Sequence, residues 1–320
     1  MKPWQSGQSL DVLVCGLPIE RIDPERPYGA LRGNATRAFG LANNLSKQGW
    51  RAGLVVETGC EPVSSRWISG DLCSVPRTAL SQAAATSQVL LLCSTNLKTL
   101  RERVREALTL AHPRKWLANC FDQNDGEDLP TLLRGVIGLS LNNELQAQSW
   151  RDRNLGLPLH VVPYGVDEHP YIDESILPAE HPNAIWIGAL RLPRSLDRIV
   201  RFAEVNPECE VKVVAGLVFD QRIARGAEGS YERPYIDHRD GPLPLERFSE
   251  IVRQWCGRPP PANLHYLGSC PGQNANLLGS ASLALGFSRR PGQQHDDSKL
   301  LDYLRCGLPV LADDGQPSHR

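Results

Sequence analysis

Ser298-Lys299-Leu300-Leu301-Asp302-Tyr303-Leu304-Arg305-Cys306-Gly307-Leu308-Pro309-Val310-Leu311-Ala312 reads as a short helix, a stop and a buried strand. Leu300, Leu301 and Leu304 supply an apolar face at helical spacing, and Gly307 fits a C-terminal cap. Pro309 leads into the apolar run Val310–Ala312. The front of the helix carries the chemistry. There the free N–H groups of a helix point outward and stabilise anions, and Ser298 and Lys299 occupy that place. A lysine at a helix start opposes the macrodipole, which makes a merely solvated role less comfortable. Asp302 follows one turn later on a side expected to be exposed, a carboxylate suited to accept hydrogen bonds from a sugar diol. Such a helix start can grip a nucleotide.

Outward from this segment the chain keeps one rhythm. Strand-length apolar runs at 10–16, 52–57, 88–93, 115–119, 135–140 and 158–162 alternate with helical patterns at 35–48, 98–111 and 142–151. The second half has strands at 184–188, 210–215, 263–267, 281–286 and 309–312, and helices at 194–204, 244–256, 273–279 and 298–305. This alternation predicts an α/β chain of parallel sheets with crossover helices. The polar stretch around 165–183, rich in Pro, His, Asp and Glu, marks a hinge. The expected domains are residues 1–165 and 184–320, joined by 166–183. Residues 217–243 carry charge, Gly and Pro without period and read as a long surface loop.

A chain of 320 residues is long enough for two such domains. Its net charge of −1 makes no demand for nucleic acid as a partner. Nine cysteines are scattered without a C-x-x-C pair, which argues against a disulfide framework or zinc ribbon and for a reducing cytosol. The first apolar run, Leu10–Cys15, is too short for a signal core, and no later run reaches the roughly 18 residues of a membrane span. His, Cys and carboxylates show no metal spacing, so no metal is expected.

The 298–312 segment resembles the nucleotide-sugar motif of GT-B-fold glycosyltransferases of the retaining group 1, or family 4, type. Their pattern S/P-K-x-x-E-Y-x-A-x-G-x-P-V-V-A is met at Lys299, Tyr303, Gly307, Pro309, Val310 and Ala312, with Asp302 in place of Glu. Three more landmarks follow the family's order. Val161-Val162-Pro163-Tyr164-Gly165-Val166-Asp167 is similar to its interdomain signature V-I-P-N-G-V-D. Ile185-Trp186-Ile187-Gly188-Ala189-Leu190 looks like the opening strand and turn of the second domain, and Asn263–Gly268 like the later V-x-F-L-G strand.

The resemblance implies two Rossmann-like domains facing across a cleft. It implies retaining transfer of a sugar from a nucleoside-diphosphate sugar to a carbohydrate, lipid-carrier or protein acceptor, with no metal and no cofactor beyond the donor. Ser298 and Lys299 would hold the diphosphate and Asp302 the ribose. After the first strand of the second domain the family has Arg directly after the Gly and a later Lys, both on phosphate. Here Ala189 follows, then Arg191 and Arg194, whose planar forks suit phosphate oxygens but also suit a solvated helix start. In the first domain, the loop Tyr28–Arg37, with Gly33 and Asn34, looks like the glycine loop that faces the cleft, or a plain strand–helix connector.

Several departures matter. Eight residues before Asp302, where the family's other carboxylate lies, stands Gln294, with His295, Asp296 and Asp297 beside it. No catalytic residue is assigned. After Ala312 eight residues remain, whereas the family continues, so the second domain is expected to be incomplete. Two rival readings remain: a noncatalytic nucleotide- or carbohydrate-binding relative, and a nucleotide-sugar 2-epimerase. The cationic segment Arg101–Trp116 packs on a sheet through Leu100, Val104, Leu108 and Ala111, or, as in relatives acting on lipid carriers, touches a membrane surface. The expected location is cytoplasmic, with peripheral contact at the inner membrane face as its extension.

Overall fold

A computed structural model describes residues 1–16, 18–24, 34–93, 102–118, 133–141, 143–162, 180–190, 193–218, 236–237, 245–268, 270, 274–287 and 298–312. The chain divides into two compact units, Met1–Pro163 and Tyr164–Arg320. Of the expected hinge, residues 166–179 lie outside the described residues.

The first unit is built on an eight-stranded sheet. Its strands are β1 (Lys2–Pro3), β2 (Leu10–Cys15), β3 (Ala52–Val56), β4 (Cys73–Pro76), β5 (Ser87–Cys93), β6 (Lys115–Ala118), β7 (Val136–Leu141) and β8 (Leu159–Val161). All its pairings are parallel, in the order β1-β4-β3-β2-β5-β6-β7-β8. Its described helices are α1 (Asn34–Lys47), α2 (Leu80–Ala85), α3 (Glu102–Thr109) and α4 (Glu144–Arg151). Parallel strands are covered on both faces and so read as continuous apolar runs. In β2, Val12 and Val14 pack with Ala38, Phe39 and Ala42 of α1. Leu13 and Cys15 face the other cluster, with Leu80, Ala107 and Trp150.

β1, β4 and α2 were not legible in the sequence. β4 is four residues long and contains Ser74, whose Oγ donates to Lys2 O at 3.2 Å, a polar group no apolar pattern reveals. Lys115, counted above in the cationic segment, is only 6% exposed. Its ammonium donates to Leu108 O at 2.6 Å and Leu110 O at 3.0 Å, capping α3, and burial pushes its pKa down. It therefore does not belong to a cationic surface. Among the described residues no helix is long and apolar enough to cross a membrane.

The second unit holds β9 (Asn183–Leu190), β10 (Glu210–Val218), β11 (Ile236–Asp237), β12 (Leu264–Gly268), β13 (Leu283–Gly286) and β14 (Val310–Ala312). Its described helices are α5 (Pro193–Val205), α6 (Leu245–Cys256), α7 (Asn274–Gly279) and α8 (Ser298–Arg305). The parallel order is β12-β10-β9-β13-β14, with β11 antiparallel to the end of β10. Both units thus have the doubly wound order, in which the first core strand lies centrally and the sequence proceeds outward to either side. The expected loop 217–243 is partly strand, since Leu217 and Val218 of β10 pair with Asp237 and Ile236.

Two local readings change. β14, expected to be buried, is an outer strand of the described sheet, with Leu311 43% exposed. On α8, Leu304 is exposed and Tyr303 takes its place in the core beside Leu300. The reason is the phenol, which is needed inside, as shown below. On the opposite flank, β10 loses its regular register between Val214 and Leu217. There Tyr266 donates its hydroxyl to Ala215 O and stacks on Phe248, with ring centroids 4.3 Å apart.

Burial pushes the Tyr266 phenol up to about 12. Its folded pKa lies above the unfolded value near 10, so the associated stability is complete below pH 10 and is lost as pH rises toward 12. Urea midpoints should fall across that window, and Tyr266→Phe should flatten the fall. The same variant should be destabilised at neutral pH by about 1 kcal/mol, the net worth of one hydrogen bond.

Candidate functional site

In doubly wound sheets, ligands sit beyond the carboxyl ends of the strands, where strand order reverses. In the second unit that point lies between β9 and β13. These strands pair only at Leu283 with Ala184 and at Ala284 with Ile185, whereas β9 stays paired with β10 as far as Leu190. Past Ile185 the two central strands diverge. Ile187 N–H, beyond the last β9–β13 pair, donates to Tyr303 Oη at 3.0 Å.

α8 delivers that hydroxyl and is itself fixed at three places. Leu300 packs on β13 at Gly286, where a Cβ would fall 2.8 Å from Leu300 Cδ2. Tyr303 is 1% exposed. At the helix end, Leu308 N–H donates to Tyr303 O at 3.1 Å and Gly307 N–H to Leu304 O at 2.9 Å, with Gly307 at φ +66°. This is a Schellman cap, completed by Leu308 and Tyr303 in one apolar cluster.

Lys299 passes through the same opening. Leu300 and Tyr303 pack on one face of the sheet with Ile185, and Trp186 belongs to the cluster on the other. Yet Lys299 Nζ lies 4.6 Å from the centroid of the Trp186 ring. Its stem reaches across at Gly188, where a Cβ would fall 2.2 Å from Lys299 Cε and 2.5 Å from Nζ. Gly188 also has φ +151°, which side chains rarely adopt. Glycine is needed there twice over.

Of the other residues singled out above, Asp302 is half-buried on α8 rather than exposed, and Ser298 is the first residue of that helix. Arg194 is exposed in the first turn of α5, which begins just after β9. Burial, together with the nearby charge of Arg194, pushes the Arg198 guanidinium down. Two helix starts and their cations therefore follow the carboxyl ends of β9 and β13. Arg191, Gly33, Gln294, His295, Asp296 and Asp297 lie outside the described residues, and Asn34 opens α1. Among the described residues, no three His, Cys, Asp or Glu side chains gather as a metal would require.

The corresponding point of the first unit, between β2 and β5, is built differently. There the central strands remain paired up to Cys15 and Leu92. Burial pushes the Cys93 thiol up to about 12, and the neighbouring Cys15 adds to the shift. Both thiols are buried in the sheet's apolar clusters. In the sequence, Trp186 and Gly188 read as parts of a strand and its turn. The available signal was their spacing, which puts a small residue next to a large ring on one strand face.

No family model matches the sequence, and no curated protein matches it. Solved structures match over most of the chain. A glycosyltransferase from Rickettsia africae ESF-5 shares 10% identity, with 96% of this chain and 80% of that one covered, at a TM-score of 0.54. Anabaena HepE in complex with UDP shares 12%, covering 97% and 82%, at 0.55. Sucrose-phosphate synthase from Thermosynechococcus elongatus shares 14%, covering 92% and 80%, at 0.51. At such identities the likeness is one of fold. The chain has the GT-B fold of glycosyltransferases, with two Rossmann-like domains.

Gly188→Ala should drive Lys299 out of its path and strain the backbone. The expected loss is about 1–3 kcal/mol of stability, measured by urea denaturation. Tyr303→Phe should cost about 1–3 kcal/mol, the penalty for leaving the part-buried Ile187 N–H unpaired. A Tyr303→Phe protein as stable as the parent would mean that the hydroxyl does not hold β9.

Proposed function

We propose that this protein is a glycosyltransferase that takes its sugar from a nucleoside-diphosphate sugar bound in the second unit. The observation that carries the reading is the Lys299 ammonium, brought through the gap between β9 and β13 to the carboxyl end of the sheet. The diphosphate lies at the start of α8, against Ser298, Lys299 and the free helix amides. Arg191 and Arg194 add phosphate contacts, and Asp302 accepts from the ribose hydroxyls. As the glycosidic bond breaks, the leaving nucleoside diphosphate gains negative charge. A fixed ammonium and aligned amide dipoles stabilise that charge without a metal ion.

Lys299 can serve both the ring and the phosphate. A cation over an indole gains about 0.5–2 kcal/mol, whereas a hydrogen bond to a charged group gains about 1.5–3 kcal/mol. The phosphate therefore prevails over the ring where the two compete. The solved HepE structures, one with UDP and one with UDP-glucose, support this class of donor. Transfer is retaining, by front-face displacement in which the leaving phosphate helps deprotonate the acceptor hydroxyl. The acceptor is a carbohydrate, a lipid carrier or a protein.

Calorimetry with UDP, GDP, ADP and dTDP, each with and without an attached sugar, tests the donor reading. Lys299→Ala should weaken the best ligand by about 1.5–3 kcal/mol, and unchanged affinity would remove this site. A 2′,3′-dideoxy nucleotide should bind less well than its parent to the wild type, and equally well to Asp302→Ala. If the preference survives the mutation, the ribose lies elsewhere.

A further inference from the structure

Trp186 is 1% exposed in the middle of β9, and its indole Nε1–H is buried without a hydrogen-bond partner. Buried indoles ordinarily find an acceptor. A leucine or phenylalanine would fill a core position without leaving that donor unpaired. The indole edge therefore explains nothing about why a tryptophan stands here. Its face does, because it carries Lys299 Nζ at 4.6 Å, and indole is the best of the aromatic side chains at attracting a cation.

We infer that Trp186 is the positioning residue for Lys299, its ring holding the ammonium at the carboxyl end of β9 before any phosphate arrives. This rests on the donor-site reading above. A lysine carries a compact charge on a flexible four-carbon stem and loses much rotamer freedom when it is fixed. Gly188 leaves room for the stem, and the ring gives the ammonium a seat. The site is then preorganised rather than assembled by the ligand.

UDP is the probe. Trp186→Leu should weaken UDP binding about tenfold, whereas Trp186→Phe, which keeps a ring face, should stay within about threefold of wild type. Both variants should lose thermal stability alike, since both shrink a core side chain. In a Lys299→Met background, Trp186→Leu should change affinity by less than about twofold. Equal damage to binding from Phe and Leu, or effects of Trp186→Leu and Lys299→Met that multiply independently, would overturn the assignment.

Should Trp186→Leu fail to fold, fluorinated tryptophans provide the second measurement. They weaken the ring's hold on a cation while nearly keeping its shape, so UDP affinity should fall stepwise with fluorine content. It should not fall in Trp186→Phe protein, and a fall there of equal size would refute the role. If the wild type binds no nucleoside diphosphate, the donor reading fails by itself. The seat is then read in the ligand-free protein from a urea cycle of Trp186→Phe and Lys299→Met, where coupling supports it and additivity overturns it.

Discussion

A backbone N–H that leaves its ladder inside a protein must find another acceptor or lower stability. Ile187 of β9 is in that position once β9 and β13 diverge past Ile185. Tyr303 Oη meets it at 3.0 Å. This one bond fixes where α8 can lie, because the phenol reaches Ile187 from only a narrow range of helix placements. The placement then sets the rest. Leu300 must seat on Gly286, the helix must end in the left-handed cap at Gly307, and Lys299 must point into the gap.

The sheet opens on its other flank too, where β10 loses register between Val214 and Leu217. There Tyr266 donates to Ala215 O. One tyrosine accepts from a freed N–H and the other donates to a freed carbonyl, so each repairs the kind of backbone group its irregularity exposes. The first unit needs no such repair at its reversal point, because β2 and β5 stay paired up to Cys15. Two sheets of the same winding thus differ in where they admit a side chain from beneath. That difference accompanies the reach of Lys299 to Trp186 in the second unit.

Much of this fold was legible in the sequence because parallel strands buried on both faces leave apolar runs, as in Val12–Cys15 and Ile185–Ile187. The bounds of α8 and its cap could be read from Ser298, Gly307 and Pro309 alone. What escaped depends on contacts far apart in the chain. The strand at Cys73–Pro76 is held through Ser74 by a residue 72 positions away. The burial of Tyr303 instead of Leu304 is set by a backbone donor 116 positions distant. Lys115 looked like surface charge because a lysine capping a helix from inside has no local signature. The path of Lys299 to Trp186 needs a gap between strands, and periodicity says nothing about gaps.

Lys299 stands in the first turn of α8, where the helix macrodipole opposes a cation. A cation in the first turn of a helix is disfavoured by about 0.3–1 kcal/mol. Contact with the Trp186 face returns about 0.5–2 kcal/mol, which offsets that opposition. Ring and helix start thereby keep two positive sources close together, at a modest cost that folding of the surrounding core covers. A diphosphate bound there, as proposed, is attracted by lysine and macrodipole together.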